Sequence, residues 1–416
     1  MPFQRLRGTH DIFGKDALLF EKAESSARVV FHRFGFEEFR TPILEERELF
    51  ARALGTETDV VQKEMYEFED RSKMRVAMRP EGTAGIVRAY LENNLDKTQG
   101  LCKFYYIGPM FRSERPQAGR LRQFHQIGVE QLGTGSPYAD AEILHALTSY
   151  FDAVGVEGYQ VKLNNLGTFE ERAEFKKVLQ HYFKPLEDKL CDDCRNRLIK
   201  NVFRLLDCKN PNCRTLAEKS PAITGFLSSA SKEHFDIVCR SLAVCGIAYK
   251  LDPYMVRGLD YYIKTVFEIS HPKLGAQDAL AAGGRYDHLI ETFGGKPAGA
   301  VGLAIGVERL LMCIDAESGA KKSEKVFFVA TLGEAAFNEG FKLLSQLRSE
   351  GLSASMDFSA KSLKSQMRAA DKAKADFVLI LGDDELKKNI CMLKDMKSGE
   401  QQETPLKNIV QRLKEK

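Results

Sequence analysis

The chain has 416 residues, a formal net charge of +3, and a composition that is 44% hydrophobic and 29% charged. A chain of this length is too long to fold around one hydrophobic core of ordinary size, so two or three domains are expected. The composition is typical of a globular protein. No apolar run approaches the ~20 residues that a helix needs to span a bilayer, which excludes an integral membrane protein of that kind. Residues 1–10 lack the apolar core of a secretory signal, so we expect a cytoplasmic location.

The first predicted elements are a helix and a strand. Apolar residues recur at helical spacing over residues 15–34, and Phe36–Thr41 alternates like a strand. Pro42 ends that strand, because proline cannot continue a central ladder. This helix and strand could pack against another subunit as easily as against the core of their own domain.

A tight turn at Arg79–Thr83 precedes a predicted helix over Ala84–Glu92. Thr83 is placed to cap this helix, and Glu81 lies near its positive end. Capping explains the threonine without a ligand. Glu81 is either solvated or holds a substrate ammonium, and the sequence leaves both readings open.

Tyr106–Glu130 is predicted to form a strand, a loop and a second strand. The loop contains Pro116, Gly119 and four arginines, and the return strand begins at Gln123. A sheet with an arginine-rich loop suits a polyanionic substrate.

A helix is predicted over residues 138–155 and a strand over Val161–Leu163. Residues 168–250 are rich in Lys, Glu and Leu at helical periods, which indicates a mostly helical insertion.

Nine cysteines are an odd number for a disulfide framework in a cytoplasmic protein. Four of them cluster in the insertion and could surround zinc: Cys191, Cys194, Cys208 and Cys213. The second spacing is looser than in the usual zinc knuckle, and Asp192, Asp193 and Asp207 add negative charge. We therefore favour free thiols over a structural zinc and assign no metal ligand.

Strand-like sequence resumes beyond the insertion. The run RGLDYY spans 257–262, a strand is predicted over Thr265–Ser270, and AGGRYD spans 282–287. A strand then runs from Ala300 through Gly306 into a helix. Arg309 stands in the first turn of that helix, where the macrodipole disfavours a cation, so we expect it to serve a ligand.

Beyond a polar linker at Gly319–Lys325, strands and helices alternate to the end of the chain. The run Phe377–Leu381 is apolar throughout, which predicts a small α/β domain with a buried, largely parallel sheet. The other elements are strands Val326–Thr331, Ser353–Phe358 and Ile390–Lys394, and helices Glu334–Glu350, Lys361–Lys374 and one from about Leu406.

The arginines form a group. Guanidinium forks suit phosphate oxygens, and several that converge on one site suggest a triphosphate. The candidates are Arg112, Arg120, Arg257 and Arg309.

With these motifs the chain resembles, over nearly its whole length, the histidyl-tRNA synthetases, which are class II aminoacyl-tRNA synthetases. Phe36–Pro42 with its helix is similar to class II motif 1, FRSE at 111–114 to motif 2, and GLAIGVER at 302–309 to motif 3. RGLDYY and AGGRYD resemble the two histidine-specific motifs.

The resemblance implies an α+β fold. Residues 1–324 would form a class II catalytic domain with an antiparallel sheet, residues 168–250 the mostly helical insertion, and residues 325–416 an α/β anticodon-binding domain.

It also implies site roles. Glu81 and Thr83 would hold the amino group of histidine, and Gln126 would help to fix the substrate. Glu130 and Tyr262 would read the imidazole nitrogens. The remaining histidine-binding residues would be Tyr261, Tyr286, Arg112 and Arg257.

For ATP, Arg112 would bridge the histidine carboxylate and the α-phosphate, with Arg257 opposite it as a catalytic cation. Glu114 would face the adenine, and Arg120 and Arg309 would bind the far phosphates. Mg²⁺ would neutralise the β- and γ-phosphates.

The implied partners are tRNA(His), L-histidine and ATP, and motif 1 implies a homodimer. Gln117 in the motif 2 loop is our candidate contact to the 5′ guanosine of the tRNA. Lys361, Lys364 and Arg368 would contact phosphates from the C-terminal domain.

A non-catalytic synthetase-like paralogue would bind histidine or a partner enzyme, but such proteins tend to lose the arginines that are present here. A class II synthetase for another amino acid is disfavoured by RGLDYY and by the pair Gln126 and Glu130.

Overall fold

The structure is a computed structural model that describes residues 3–275, 278–314, 325–359 and 362–414. It divides the chain into two compact units, Met1–Gly319 and Ala320–Lys416.

The first unit is organised around an eight-stranded sheet in the order β1-β5-β6-β11-β10-β9-β7-β8. The outer pairs β1/β5 and β7/β8 are parallel, and the five inner pairs are antiparallel. The antiparallel catalytic-type sheet expected from the sequence is thus confirmed. Its strands are β1 (Glu37–Glu38), β5 (Cys102–Phe111), β6 (Gln123–Leu132), β7 (Gln160–Asn165), β8 (Tyr249–Leu251), β9 (Ile263–Ser270), β10 (Ala279–Arg285) and β11 (Ala300–Gly306).

A second, three-stranded antiparallel sheet was not predicted. Its order is β2-β4-β3, with β2 at Leu44–Glu46, β3 at Tyr66–Glu69 and β4 at Arg75–Met78. These strands have three or four residues each, and Ala77 is the one fully buried residue among them, so their hydrophobic alternation is too short to detect.

Helices of the first unit cover the large sheet and fill the insertion. They are α1 (Lys15–Arg33), α2 (Arg47–Leu54), α3 (Thr83–Glu92), α4 (Leu95–Thr98), α5 (Pro137–Val154), α6 (Phe169–Phe183), α7 (Asp192–Lys200), α8 (Pro211–Ala217), α9 (Ser229–Val244), α10 (His288–Thr292) and α11 (Val307–Cys313). Short 3₁₀ helices lie at Lys184–Lys189, Val202–Leu205, Ile223–Phe226 and Pro272–Leu274, and a five-residue π-helix lies at Val60–Glu64.

The predicted strand at Phe36–Thr41 is much shorter in the structure. Only Glu37–Glu38 pairs with β5, although the Phe39 amide still donates to the Tyr105 carbonyl at 2.8 Å. The chain is extended there, but it lies at a sheet edge and leaves the ladder before Pro42.

The start of α3 corrects the prediction for Thr83. Gly82 is the N-cap residue, and no side chain caps the helix from that position. Instead the Glu81 carboxylate accepts hydrogen bonds from the backbone amides of Thr83, at 2.6 Å, and Ala84, at 3.0 Å. A buried glutamate therefore satisfies the end of the helix, and the threonine hydroxyl is left for another partner.

The second unit contains a five-stranded sheet in the order β13-β12-β14-β15-β16. The pairs β12/β13 and β12/β14 are parallel, whereas β14/β15 and β15/β16 are antiparallel. The expected largely parallel sheet is thus a mixed one, because β15 returns next to β14 and pairs with β16, a strand that the sequence analysis missed.

The strands of this unit are β12 (Val326–Thr331), β13 (Ser353–Met356), β14 (Phe377–Leu381), β15 (Ile390–Asp395) and β16 (Gln401–Pro405). The helices are α12 (Glu334–Ser349), α13 (Leu363–Lys372), α14 (Asp383–Lys387) and α15 (Ile409–Lys414), with a single turn at Leu406–Asn408. Apolar side chains lie on both faces of β12 and β14, in two clusters. Most of the predicted linker, and Lys361, lie outside the described residues.

Among the helices in the described part of the chain, none is both long and apolar enough to cross a membrane.

Candidate active site

A central cleft of about 970 Å³ lies on one face of the large sheet. Cross-strand register explains its floor, since side chains in one row across a sheet point to the same face. Ala304 pairs with Ala282, Ala282 with Glu268, and Glu268 with Lys162, and all four line the cleft. The two alanines at one end of this row leave room for a ligand above the sheet.

The cleft brings together ten of the residues predicted from the sequence, drawn from the turn before α3, the β5–β6 hairpin, the RGLDYY run and α11. They are Glu81, Thr83, Arg112, Glu114, Arg120, Gln126, Arg257, Tyr261, Tyr262 and Arg309.

The hairpin holds Arg112 at the base of its loop. The Arg112 Nε donates to the Pro80 carbonyl at 2.9 Å, and the guanidinium lies 5.3 Å from the Phe124 ring centroid. One backbone bond and one aromatic face fix the side chain and leave the terminal nitrogens directed to a ligand.

Arg120 and Arg309 lie at the other side of the loop. Arg120 pairs with Glu114 at 2.9 Å, and Arg309 donates to the carbonyls of Gly119 at 2.9 Å and Ala279 at 2.7 Å. Burial, and then the neighbouring Arg120, lower the pKa of Arg309 from its ordinary value. The macrodipole and the nearby cation both oppose this arginine, which fits a position intended for an anion.

Arg257 faces the cleft from the RGLDYY loop. Its Nη1 pairs with Glu268 of β9 at 2.6 Å, while its Nε is buried and has no hydrogen-bond partner among the described residues. Glu268 was missed in the sequence analysis. Only its position in the cross-strand row, which a sequence does not show, brings it beside Arg257.

A buried acidic pocket adjoins the arginines. Glu81 is 4% exposed, and burial raises its pKa above the usual carboxyl value. Glu130 is 0% exposed, and burial raises its pKa to about 8. The Thr83 hydroxyl donates to one Glu130 oxygen at 2.7 Å, and the Tyr286 hydroxyl donates to the other.

Glu130 and Tyr286 therefore lie behind the cleft wall. Both are essentially fully buried, and each Glu130 oxygen already has a hydroxyl partner. Gln126 is closer to the cleft, and its Oε1 is buried without a partner in the described structure. An amide oxygen in that state is available to a ligand donor.

Three tyrosines line or back this pocket. The ring centroids of Tyr261 and Tyr262 are 4.5 Å apart, and those of Tyr261 and Tyr286 are 5.6 Å apart. Burial raises the pKa of Tyr262 to about 12 and those of Tyr261 and Tyr286 well above the usual value. All three hydroxyls therefore stay protonated at neutral pH and can donate hydrogen bonds.

Tyr106 is a further pocket residue to which the sequence analysis assigned no role. Its hydroxyl is buried without a partner in the described structure, and burial, followed by the nearby Glu130 and Glu81, raises its pKa well above the usual value. Its ring packs over Gly128, its register partner on β6, where a Cβ would come within 2.2 Å of the ring. This register across the hairpin, which the local sequence does not show, brings Tyr106 into the pocket.

Gln117, the predicted tRNA contact, and Arg285, to which the sequence analysis gave no role, do not line the cleft. Gln117 is exposed at the tip of the loop, where its backbone pairs with Arg120. Arg285 of the AGGRYD run is fully buried and forms ion pairs with Asp140 and Asp287. That arginine holds α5 and β10 together, so part of the motif is structural.

Comparison with known proteins agrees with this arrangement. Residues 8–310 match the family model described as histidyl-tRNA synthetase, and residues 326–416 match an anticodon binding domain. The chain belongs to the histidyl-tRNA synthetase family.

Relatives named histidine–tRNA ligase extend over the whole chain. That of Natranaerobius thermophilus is 46% identical over 98% of both chains, and that of Thermodesulfovibrio yellowstonii is 42% identical over 100% of this chain and 99% of its own. Among solved structures, apo histidyl-tRNA synthetase of S. aureus superposes with a TM-score of 0.83 at 33% identity, covering 99% of this chain and 100% of its own.

Proposed function

We propose that this protein activates L-histidine with ATP to form histidyl-adenylate and pyrophosphate, and then transfers histidine to the 3′ end of tRNA(His). The main support for the proposal is that a group of arginines and a buried polar pocket lie next to each other in one cleft. Four arginines suited to a triphosphate adjoin a buried pocket of carboxylates, an amide and tyrosines. The full-length relatives that are named histidine–tRNA ligase support the same activity.

The first step requires alignment and charge stabilisation more than covalent catalysis. The histidine carboxylate attacks the α-phosphorus, and pyrophosphate leaves. Arg112 and Arg257 would stabilise the charge that develops on the α-phosphate, while Arg120 and Arg309 would hold the leaving phosphates. Mg²⁺ would enter with ATP and neutralise its β- and γ-phosphates, while Glu114, which pairs with Arg120 at 2.9 Å, would face the adenine.

Histidine selection is assigned to the buried pocket. Glu81 and Thr83 would hold the ammonium group, and Gln126 and Tyr262 would hydrogen-bond the substrate directly. The hydroxyls of Thr83 and Tyr286 enclose the Glu130 carboxyl. We therefore propose that Glu130 recognises the imidazole either through these hydroxyls or directly, after they have moved aside. A pocket that pairs with both imidazole nitrogens would reject other amino acids by roughly 10⁴-fold.

For tRNA, we propose that the exposed motif 2 loop, including Gln117, meets the acceptor end. The second unit would bind the anticodon stem, a role supported by its match to an anticodon binding domain. Lys364 and Arg368 are exposed and four residues apart on α13, as phosphate contacts from one helix face would require.

We also propose a cytoplasmic homodimer that pairs through the motif 1 region. Apolar side chains near this region are exposed in the single chain, including Ile43 at 40% and Leu44 at 48%. Burial in a dimer would remove this surface from water. Sedimentation at micromolar concentration checks the proposal, and a species with the mass of one chain would contradict it.

The non-catalytic alternative has no observation in its favour. Arg112, Arg257 and Arg309 are present and line the cleft together, and the relatives that share 42–46% identity carry the name of the enzyme.

ATP–pyrophosphate exchange with each amino acid in turn tests the proposal, followed by charging of tRNA(His). We expect exchange with histidine alone. Exchange with no amino acid would overturn the activity, and exchange stimulated by another amino acid would overturn the specificity.

A further inference from the structure

The insertion contains a second chemical cluster, separate from the ATP and histidine groups. The sulfur atoms of its four clustered cysteines all lie within 4.8 Å of one another, and three of the four residues are buried. They are Cys191, Cys194, Cys208 and Cys213. We propose that these four thiolates bind one structural zinc ion, which fixes the part of the insertion that forms a wall of the central cleft.

The four sulfur atoms lie close enough together to surround one tetrahedral ion. Zinc–thiolate bonds of about 2.3 Å place neighbouring sulfurs about 3.8 Å apart. The Sγ atoms of Cys191 and Cys208 are 3.9 Å apart. None of the nine cysteines, all of which lie in the described ranges, forms a disulfide, so the four sulfurs are available as ligands.

The cluster is assembled from separate elements. Cys191 precedes α7, Cys194 lies in its first turn, Cys208 follows the turn at Val202–Leu205, and Cys213 lies in α8. The Cys191 amide donates to the Cys213 sulfur at 3.3 Å. Amide donors to sulfur are the kind of outer contact that orients metal ligands.

The negative charges that argued against zinc in the sequence lie outside the cluster. Asp192, Asp193 and Asp207 are exposed, and the Asp192 side chain is 95% exposed and pairs with Arg195. Four thiolates in a tetrahedral array suit zinc, with iron as the main competitor, rather than the hard cations Mg²⁺ and Ca²⁺.

The segment around the cysteines has little regular structure and a small core, so a bound metal would stabilise it. Between α6 and α9 it is built from short turns and from helices of seven and nine residues. Its small apolar cluster includes Cys194, Cys208 and Cys213 themselves. A core of this size gains much of its stability from a metal that joins distant parts of the chain.

The same segment reaches the cleft. Leu206, Cys208 and Arg214 are among its lining residues. Asn201 donates to Asp260 of the RGLDYY run at 3.3 Å, and Tyr254, just before that run, donates to the Glu218 carbonyl at 2.9 Å. A metal at the cysteines would therefore hold this wall in place beside Arg257.

Metal analysis of the purified full-length protein tests the proposal and does not depend on its enzymatic activity. We expect about one zinc per chain in the wild type and in Cys245→Ser, whose exposed cysteine lies in the insertion but outside the cluster. Cys208→Ser combined with Cys213→Ser should reduce zinc at least tenfold. Wild-type protein from zinc-supplemented cells that holds no zinc, or holds iron instead, would overturn the proposal.

Because the double variant could fail to fold, two measurements use the wild type. Cobalt added to chelator-treated protein should give the visible spectrum of tetrahedral thiolate coordination, and zinc should displace it. Trypsin should cleave between residues 189 and 218 at least tenfold faster after chelation, and zinc should reverse this. Absence of the cobalt spectrum, or cleavage unaffected by chelation, would contradict a zinc site that fixes this wall.

Discussion

Glu130 is a carboxyl group held in full burial by two hydroxyl donors. Burial raises its pKa from 4.5 to about 8, although the bonds from Thr83 and Tyr286 act in the opposite direction. Between these two pH values the folded protein therefore binds a proton that the unfolded chain releases. The contribution of this group to stability is complete below pH 4.5 and is lost as the pH rises through about 8.

Replacing Glu130 with glutamine should remove this dependence. Between pH 5 and 8 the wild type should lose up to about 1.4 kcal/mol of unfolding free energy per pH unit relative to Glu130→Gln. Urea denaturation at several pH values measures the difference. Glu174→Gln, an exposed glutamate on α6, should follow the wild type. Parallel curves for the wild type and Glu130→Gln would show that Glu130 does not titrate in this range.

Arg257 is expected to act on the chemical step. Arg257→Ala should reduce adenylate formation by about 10²–10³-fold, as for loss of one preorganised donor to a transition-state charge. It should leave histidine affinity within a few-fold of the wild type. Exchange kinetics and calorimetric histidine binding separate the two effects.

Arg257→Lys and Arg240→Ala complete this test. Lysine keeps the charge but not the planar fork, so Arg257→Lys should recover only part of the rate. Arg240 is exposed on α9, and Arg240→Ala should behave as the wild type. Unchanged exchange in Arg257→Ala would remove Arg257 from the catalytic group.

At the scale of elements, strand β11 needs a glycine at the position where it packs over the Glu130 carboxyl. Gly302 is the register partner of Glu130, and a Cβ at Gly302 would lie 1.7 Å from the Glu130 Oε2. Four residues later on the same strand, a Cβ at Gly306 would have no neighbour closer than 3.8 Å. Only Gly302 is therefore required for lack of space, although both glycines belong to the same motif.

Gly302→Ala should destabilise the protein by about 1–3 kcal/mol, because the fully buried Glu130 cannot move aside without strain. Gly306→Ala should change stability by less than about 0.5 kcal/mol, since it adds a methyl group at ordinary contact distances. Thermal and urea unfolding of both variants measure the difference. Equal stability of the two variants would show that the Gly302 backbone can shift away from Glu130.

The elements that sequence could predict are those with long, regular patterns. The β5–β6 hairpin was predicted because its strands alternate and its loop carries Gly119 and Pro116. The β2-β4-β3 sheet and β16 were missed, because short and exposed strands leave little periodicity. The mixed C-terminal sheet was not predicted, because local sequence does not specify that β15 lies antiparallel to β14.

The site was predictable to a similar extent. Arg112, Arg257 and Arg309 stand in motifs, so they could be named from the sequence, and the cleft brings them together. Tyr106 and Glu268 could not be assigned, because their positions depend on register across neighbouring strands. Thr83 was placed on the right helix but given the capping role that Glu81 performs.

At the scale of the whole molecule, the two units have separate cores. Three apolar clusters lie in the first unit, and two lie in the second, packed on opposite faces of β12 and β14. The residues that line the central cleft all belong to the first unit. Adenylate formation and anticodon binding are therefore expected to be separable.

Truncation after Gly319 should test this separation. Exchange with histidine should remain within a few-fold of the full chain, because the cleft is complete without the second unit. Charging of tRNA should fall by at least about tenfold, because phosphate and base contacts from the second unit would be lost. An equal loss in both assays would contradict the separation of roles.

A charge-reversal pair tests the same point in the full chain. Lys364→Glu with Arg368→Glu alters one exposed face of α13 and leaves both cores intact. If that face contacts tRNA phosphates, the KM for tRNA should rise about tenfold and its dependence on salt should weaken, while exchange is unchanged. An unchanged KM and salt dependence would assign the phosphate contacts to another face of the second unit.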